Sequence, residues 1–178
     1  MTRSTCGHVL DVARAAVLSL ALVLGLTGLG LATAPEATAL NGKGTAGPCP
    51  SSSGVTVVVD FQELGGGTVV RCAPGDQATG LAALKNAGFT IAGTQRWGEA
   101  FVCRIEGKPT AATEACVNTP PASAYWSYWH APNGGTWGYS QSGASGRKPA
   151  QGSFEGWSFS LNKTSSTNPA PRVAPVRP

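Results

Sequence analysis

The strongest constraint on this fold is the combination of an export signal with four cysteines downstream of it. Residues 1–39 read as a cleavable secretory peptide. Arg3 and Arg14 give a weakly basic start, residues 15–31 are apolar or small, and Ala37-Thr38-Ala39 is the small-x-small site that signal peptidase requires. The apolar run falls short of the roughly 20 residues of a spanning helix. Cleavage after Ala39 is therefore expected, leaving no transmembrane span and a secreted, extracellular product. Cys6 departs with the peptide, and Cys49, Cys72, Cys103 and Cys116 remain. An even count in an oxidising compartment reads as two disulfides. Four cysteines allow three connectivities; Cys49–Cys72 and Cys103–Cys116 are favoured, because each pair brackets one predicted strand unit. No C-x-x-C pair occurs and the spacings fit no zinc module, so no metal site is expected.

What remains after cleavage suffices for one domain, whose modest core gains from covalent staples. The formal charge of +4 is mild and scattered, from Arg71 and Lys85 to Arg147 and Lys148. No basic run has aromatics set into it, which excludes a nucleic-acid footprint. The domain is expected to be a monomer.

Residues 40–54 form a Gly/Pro/Ser-rich flexible leader, pinned only if Cys49 is bridged. The β-branched run at residues 55–61 suits a buried strand, Gly65-Gly66-Gly67 a turn, and residues 68–72 the returning strand of a hairpin. Asp76 is placed to cap a short helix over residues 77–87, with Ala78, Leu81, Ala82 and Leu84 at helical spacing and Gly88 as the stop. Phe89-Thr90-Ile91 opens another strand, and residues 101–105 alternate. Tyr125-Trp126-Ser127-Tyr128-Trp129-His130, a Pro132-Asn133-Gly134-Gly135 turn and residues 136–140 read as an aromatic hairpin, and residues 154–160 as a last strand. Residues 161–178 lack periodicity and are expected to be a disordered, Pro-rich tail. The folded domain is thus assigned to residues 55–160. One helix cannot separate the strands of a parallel stack. The fold class is α+β: a small mixed sheet with one packed helix, β-grasp-like.

The catalytic inventory is thin. His130 is the sole histidine after cleavage, no G-x-S-x-G elbow is present, and nothing places two carboxylates face to face. The expectation is a non-enzymatic protein without a cofactor. The aromatics carry more information. Four of the five tryptophans and all three tyrosines fall between Tyr125 and Trp157. Period 2 puts Trp126, Tyr128 and His130 on one face of a strand and Tyr125 and Trp129 on the other, while Trp137 and Tyr139 share a face of the partner. Two readings carry equal weight. The rings are the core of a sheet poor in aliphatics, or some stay accessible, since a single helix covers only one face.

Three motifs resemble the transcobalamin-type C-terminal domain, a β-grasp-like module of secreted proteins. These are the helix opening Gly75-Asp76-Gln77-Ala78-Thr79-Gly80-Leu81-Ala82-Ala83-Leu84, the strand Phe101-Val102-Cys103-Arg104-Ile105-Glu106-Gly107, and Trp126-Ser127-Tyr128. More narrowly, the chain resembles uncharacterised actinobacterial exported proteins with the same cysteines and the same Tyr125-to-His130 run. The resemblance implies the fold, and a corrinoid as one flat ligand. Together these readings point to a secreted binding module offering an aromatic sheet face to a flat small molecule. Trp126, Tyr128, Trp137 and Tyr139 would stack, and His130 would act as a cobalt or hydrogen-bond ligand. The alternative is a cell-envelope module that binds glycan or a partner protein, since exposed aromatics also stack on sugar faces.

Overall fold

Both favoured disulfides form in the structure, a computed structural model that describes residues 44–178. Cys49–Cys72 and Cys103–Cys116 span Cα separations of 4.7 and 5.9 Å, inside the range that unstrained bridges occupy. The expected signal peptide and its cleavage site lie outside the described residues.

The chain runs through β1 (Thr45–Ala46), β2 (Gly54–Asp60), a 3-10 turn at Gln62–Leu64, β3 (Thr68–Pro74) and α1 (Gly80–Asn86). It continues through β4 (Ile91–Thr94), β5 (Gly98–Ile105), β6 (Ala124–Ala131), β7 (Gly138–Tyr139) and β8 (Phe154–Leu161). This is a mostly β, α+β architecture with one short helix. Six strands make a mixed sheet in the order β1-β3-β2-β8-β6-β7, and β4 and β5 form a separate hairpin. Every neighbouring pair in the large sheet is antiparallel except β2 and β8, which run parallel at its centre.

The leader is tied down through its cysteine. Thr45 and Ala46 pair with Cys72 and Arg71 of β3. Cys49 is buried, and its backbone N–H donates to Thr56 Oγ1 at 3.0 Å.

Alternation along the central strands creates two unlike faces. Val55, Val57 and Val59 of β2, Trp157 and Phe159 of β8, and Trp126 and Tyr128 of β6 point one way, into a single apolar core. Ala83 and Leu84 of α1 and Val102 and Ile105 of β5 complete it. The helix is shorter than its periodicity suggests and starts later. Thr79, not Asp76, is the N-cap, its hydroxyl accepting from Ala82 N–H at 3.0 Å. Asp76 instead pairs with Lys148 at the surface. The reason lies in the helix's first turn, where Gly80 packs against the Tyr128 phenol. A Cβ built there would lie 2.0 Å from Tyr128 Oη, so only glycine lets the helix seat so closely.

The other face mixes a polar patch, Thr56, Asp60, Ser127, Ser158 and Ser160, with the apolar Val58, Trp129, Ala131 and Phe154. Here the tail departs from its expected disorder. The residues after β8 double back and lie across this face. Arg172 donates from its backbone and its guanidinium to the fully buried Asp60 carboxylate, with Nη2–Oδ1 at 2.6 Å. Ser160 Oγ donates to Asn168 Oδ1, Trp137 Nε1–H to Val173 O at 2.8 Å, and Gly134 N–H to Pro175 O at 2.8 Å. Val173 and Trp137 pack against Val58, Ala131 and Phe154. A Pro-rich segment has few N–H groups for a ladder, so it shows no periodicity. Its order comes from side-chain and carbonyl partners that only the folded sheet supplies.

Two outcomes follow. In the oxidised protein Cys49, Cys72, Cys103 and Cys116 should offer no titratable thiol, and reduction should destabilise the fold by about 2–4 kcal/mol per bridge in urea denaturation. Truncation after Asn162, or Arg172→Ala, should lower the thermal midpoint and raise acrylamide quenching of Trp137 fluorescence, because each removes the partner of a buried carboxylate.

Candidate functional site

The β7 strand is only two residues long, and that shortness creates the site. Tyr139 and Gly138 pair with Trp129 and His130, and Ser140 N–H donates to Tyr128 O at 2.9 Å. Beyond Ser140 the chain leaves the edge of β6 and crosses to the helix, where Ala144 O accepts from Leu81 N–H at 3.0 Å. A groove opens between this loop and the β5 strand. Its cavity is about 220 Å³, floored by Trp126, Tyr128 and Trp157 and walled by Phe101, Tyr125, Tyr139 and the Ser140–Ala144 loop. No charged side chain lines it.

Most polar groups around the groove are already committed. Tyr128 donates its hydroxyl to Glu155 Oε2, and Trp126 Nε1–H donates to Lys108 O at 3.1 Å. Tyr125 and Tyr139 share a hydrogen bond at 3.1 Å, and burial together with that bond pushes Tyr139 up to about 12. Gln141 and Ser142 differ. Both are exposed at the rim, and no hydrogen bond among the described residues uses either side chain. The groove thus offers ring faces from its walls and free amide and hydroxyl groups from its lip.

Of the five residues expected to bind, the structure brings three together here: Trp126, Tyr128 and Tyr139. Trp126 and Tyr128 also belong to the apolar core. Trp126 packs edge-on to Phe61 and Phe159, each at 5.4 Å between centroids. The expectation that helix coverage of one face leaves rings open on the other is corrected by the tail. Trp137 lies beneath it, edge-on to Phe154, and Trp129 is buried against Tyr139. His130 sits outside the groove, paired across strands with Gly138 and Glu155. Burial, and then the Arg147 charge, holds its pKa below the usual histidine value. Phe101 and the Gln141-Ser142 lip carried no sequence signal, since only the early end of β7 turns that loop into a wall.

Behind Tyr128 lies a buried charged group. Glu155 is fully buried on the helix side of β8, its Oε1 3.4 Å from Arg147 Nη2 and without a hydrogen bond. Burial raises its pKa to about 7, against the lowering effects of Tyr128 and Arg147. Cys103, Glu114 and Cys116 also come within ligand distance of one another, but both sulfurs are spent in the disulfide.

A pH test follows with a definite sign. Folded Glu155 holds its proton to about 7, whereas the unfolded chain releases it near 4.5. Its contribution is complete below the lower value and lost as pH rises through that window. His130, with its depressed value, contributes the opposite slope below 6.5. The difference between the native protein and Glu155→Gln isolates the carboxyl. In urea denaturation the native protein should lose stability relative to the variant between about pH 4.5 and 7 and hold constant above. Parallel curves would refute the assignment.

Among known proteins, a family model described as "SCO2322-like domain" matches residues 119–176. The match spans β6 through the tail, and so covers most of the groove and Arg172 but not its partner Asp60, neither disulfide and not β5. No curated protein and no solved structure matches the chain. The resemblance to transcobalamin-type domains gains no support from these comparisons, and the similarity they do find is to the SCO2322-like domain.

Proposed function

We propose that the chain is an exported, non-catalytic binding module whose groove takes the face of a neutral sugar ring of a cell-envelope glycan. The observation that carries this is the groove's lining: aromatic walls, an amide and a hydroxyl free at the lip, and no charged side chain. Ring faces pack on the apolar C–H face of a sugar, while rim groups satisfy its hydroxyls. No charged side chain lines the groove, and the Glu155 carboxyl behind Tyr128 is fully buried, which favours binding over turnover. Export is supported by the two disulfides, which persist in oxidising surroundings.

Size decides between this reading and a corrinoid. At about 220 Å³ the cavity falls below the roughly 300–1,000 Å³ of pockets for drug-sized ligands. It suits one ring, and a macrocycle would stand outside it. The expected flat aromatic sheet face is also unavailable, since the helix side and the tail cover both faces of the sheet. As to fold, the β-grasp reading is supported by the β2–β3 hairpin, the helix after it, and a last strand, β8, that returns parallel beside β2 after four further strands.

The test is binding to purified cell-wall sacculi and to neutral monosaccharides, with cyanocobalamin as the competing probe in tryptophan fluorescence titration. Tyr139→Ala and Phe101→Ala should each weaken sugar binding by roughly 3–10-fold, taking about 0.5–1.5 kcal/mol per stacking ring. Saturable cyanocobalamin quenching without sugar affinity would overturn the proposal.

A further inference from the structure

We propose that the groove continues past Phe101 into a second stacking subsite built on Trp97, so that its ligand is a neutral linear oligosaccharide rather than a single ring. This rests on the sugar-binding reading above and extends it. A second cavity, about 300 Å³, is lined by Trp97, Ala100, Phe101 and Thr119. Ala100 and Phe101 also line the first cavity, so the two share a wall on β5.

Trp97 is 52% exposed and belongs to neither apolar core. Phe101, the shared wall, is likewise absent from both cores. A half-exposed tryptophan at a hairpin turn would ordinarily be free to sample rotamers, yet this one is held. Its indole N–H donates to Thr119 Oγ1 at 3.0 Å, and its backbone N–H to Thr94 Oγ1 at 3.0 Å. The Arg96 guanidinium lies over the ring, 4.9 Å from its centroid.

The loop that carries Thr119 is itself fastened. Gln95 N–H donates to Cys116 O at 2.7 Å, Arg96 N–H to Val117 O at 3.1 Å, and Cys116 is bridged to Cys103 of β5. Trp97 packs no core but is fixed in place, so its ordering entropy is met before a ligand arrives, the condition for stacking on a sugar face. The geometry assigns the Cys103–Cys116 bridge a role in this: it holds the platform on which Trp97 stands.

A linear neutral chain fits because Trp97 and Phe101 put aromatic rings in two adjoining cavities that share a wall. Among the described residues no charged side chain lines either cavity, and the Arg96 guanidinium is already stacked on the Trp97 ring. Peptide docking would use backbone pairing, not this succession of faces.

The experiment measures affinity by calorimetry for neutral β-1,4-linked oligosaccharides of one, two and four sugar units, using the native protein, Trp97→Ala, Trp97→Phe and Tyr139→Ala. Native affinity should rise at least tenfold from one unit to four. Trp97→Ala should flatten that rise while leaving monosaccharide affinity unchanged, Trp97→Phe should restore most of it, and Tyr139→Ala should weaken every length equally. In parallel, the Trp97 indole N–H resonance should shift with the four-unit chain and not with the monosaccharide. A length dependence that survives Trp97→Ala overturns the second subsite alone. Absence of sugar binding at any length overturns both this inference and the sugar-binding reading. Trp97-dependent binding of an extended apolar peptide in place of sugar overturns the ligand assignment.

Discussion

The parallel pairing of β2 with β8 is the constraint from which the rest of the structure follows. It places the first long strand and the last side by side at the centre of the sheet. A central pair has no solvent edge, and both of its faces must be covered. Antiparallel sheets can leave one face wet, but strands at the middle of a mixed sheet seldom do. Seven of the eight β8 residues are accordingly buried, including Glu155, Ser158 and Ser160. Each buried polar group then needs a partner, and the two faces meet that need differently.

On one face the cover is apolar. The helix and the β4–β5 hairpin close over valines and aromatic rings, and the buried Glu155 carboxyl beneath them is answered by Tyr128 and Arg147. On the other face the cover is the tail, which brings polar partners: Arg172 for Asp60, Asn168 for Ser160, and the Ala170 and Val173 carbonyls for Gln62 and Trp137. Burial alone would raise the Asp60 pKa, but hydrogen bonds from Arg172 outweigh it and hold the carboxyl below its ordinary value. The clasp is therefore ionic at neutral pH and weakens only in strong acid. The matched segment at residues 119–176 includes this clasp's arginine, which fits a tail that is part of the domain rather than an appendage.

The groove is a consequence of where this covering stops. The β7 strand ends after two residues because its chain must cross to the helix N-terminus, leaving part of the β6 edge open. The same aromatic run thus serves two purposes. Trp126 and Tyr128 are core on one side and floor of the groove on the other, and Tyr139 joins them only because the chain turns away just past it.

Much of this was legible in the residues. The expected export signal and the even cysteine count after it implied two bridges, and the strand units implied which ones. The β-branched run of β2, the glycine hairpin, the alternation of β5 and the two-faced pattern of Tyr125 to His130 gave local structure, because period and propensity are local properties. The helix cap was misplaced by three residues, from Asp76 to Thr79, because the choice depended on Gly80 meeting Tyr128, a contact between segments far apart in sequence. The tail's order, the loss of Trp137 from the binding set and the groove's lip at Gln141 and Ser142 were decided by the tertiary structure alone. A proline-rich strap makes no ladder and so leaves no periodic trace, and a groove wall exists only once distant strands have been brought to the same edge.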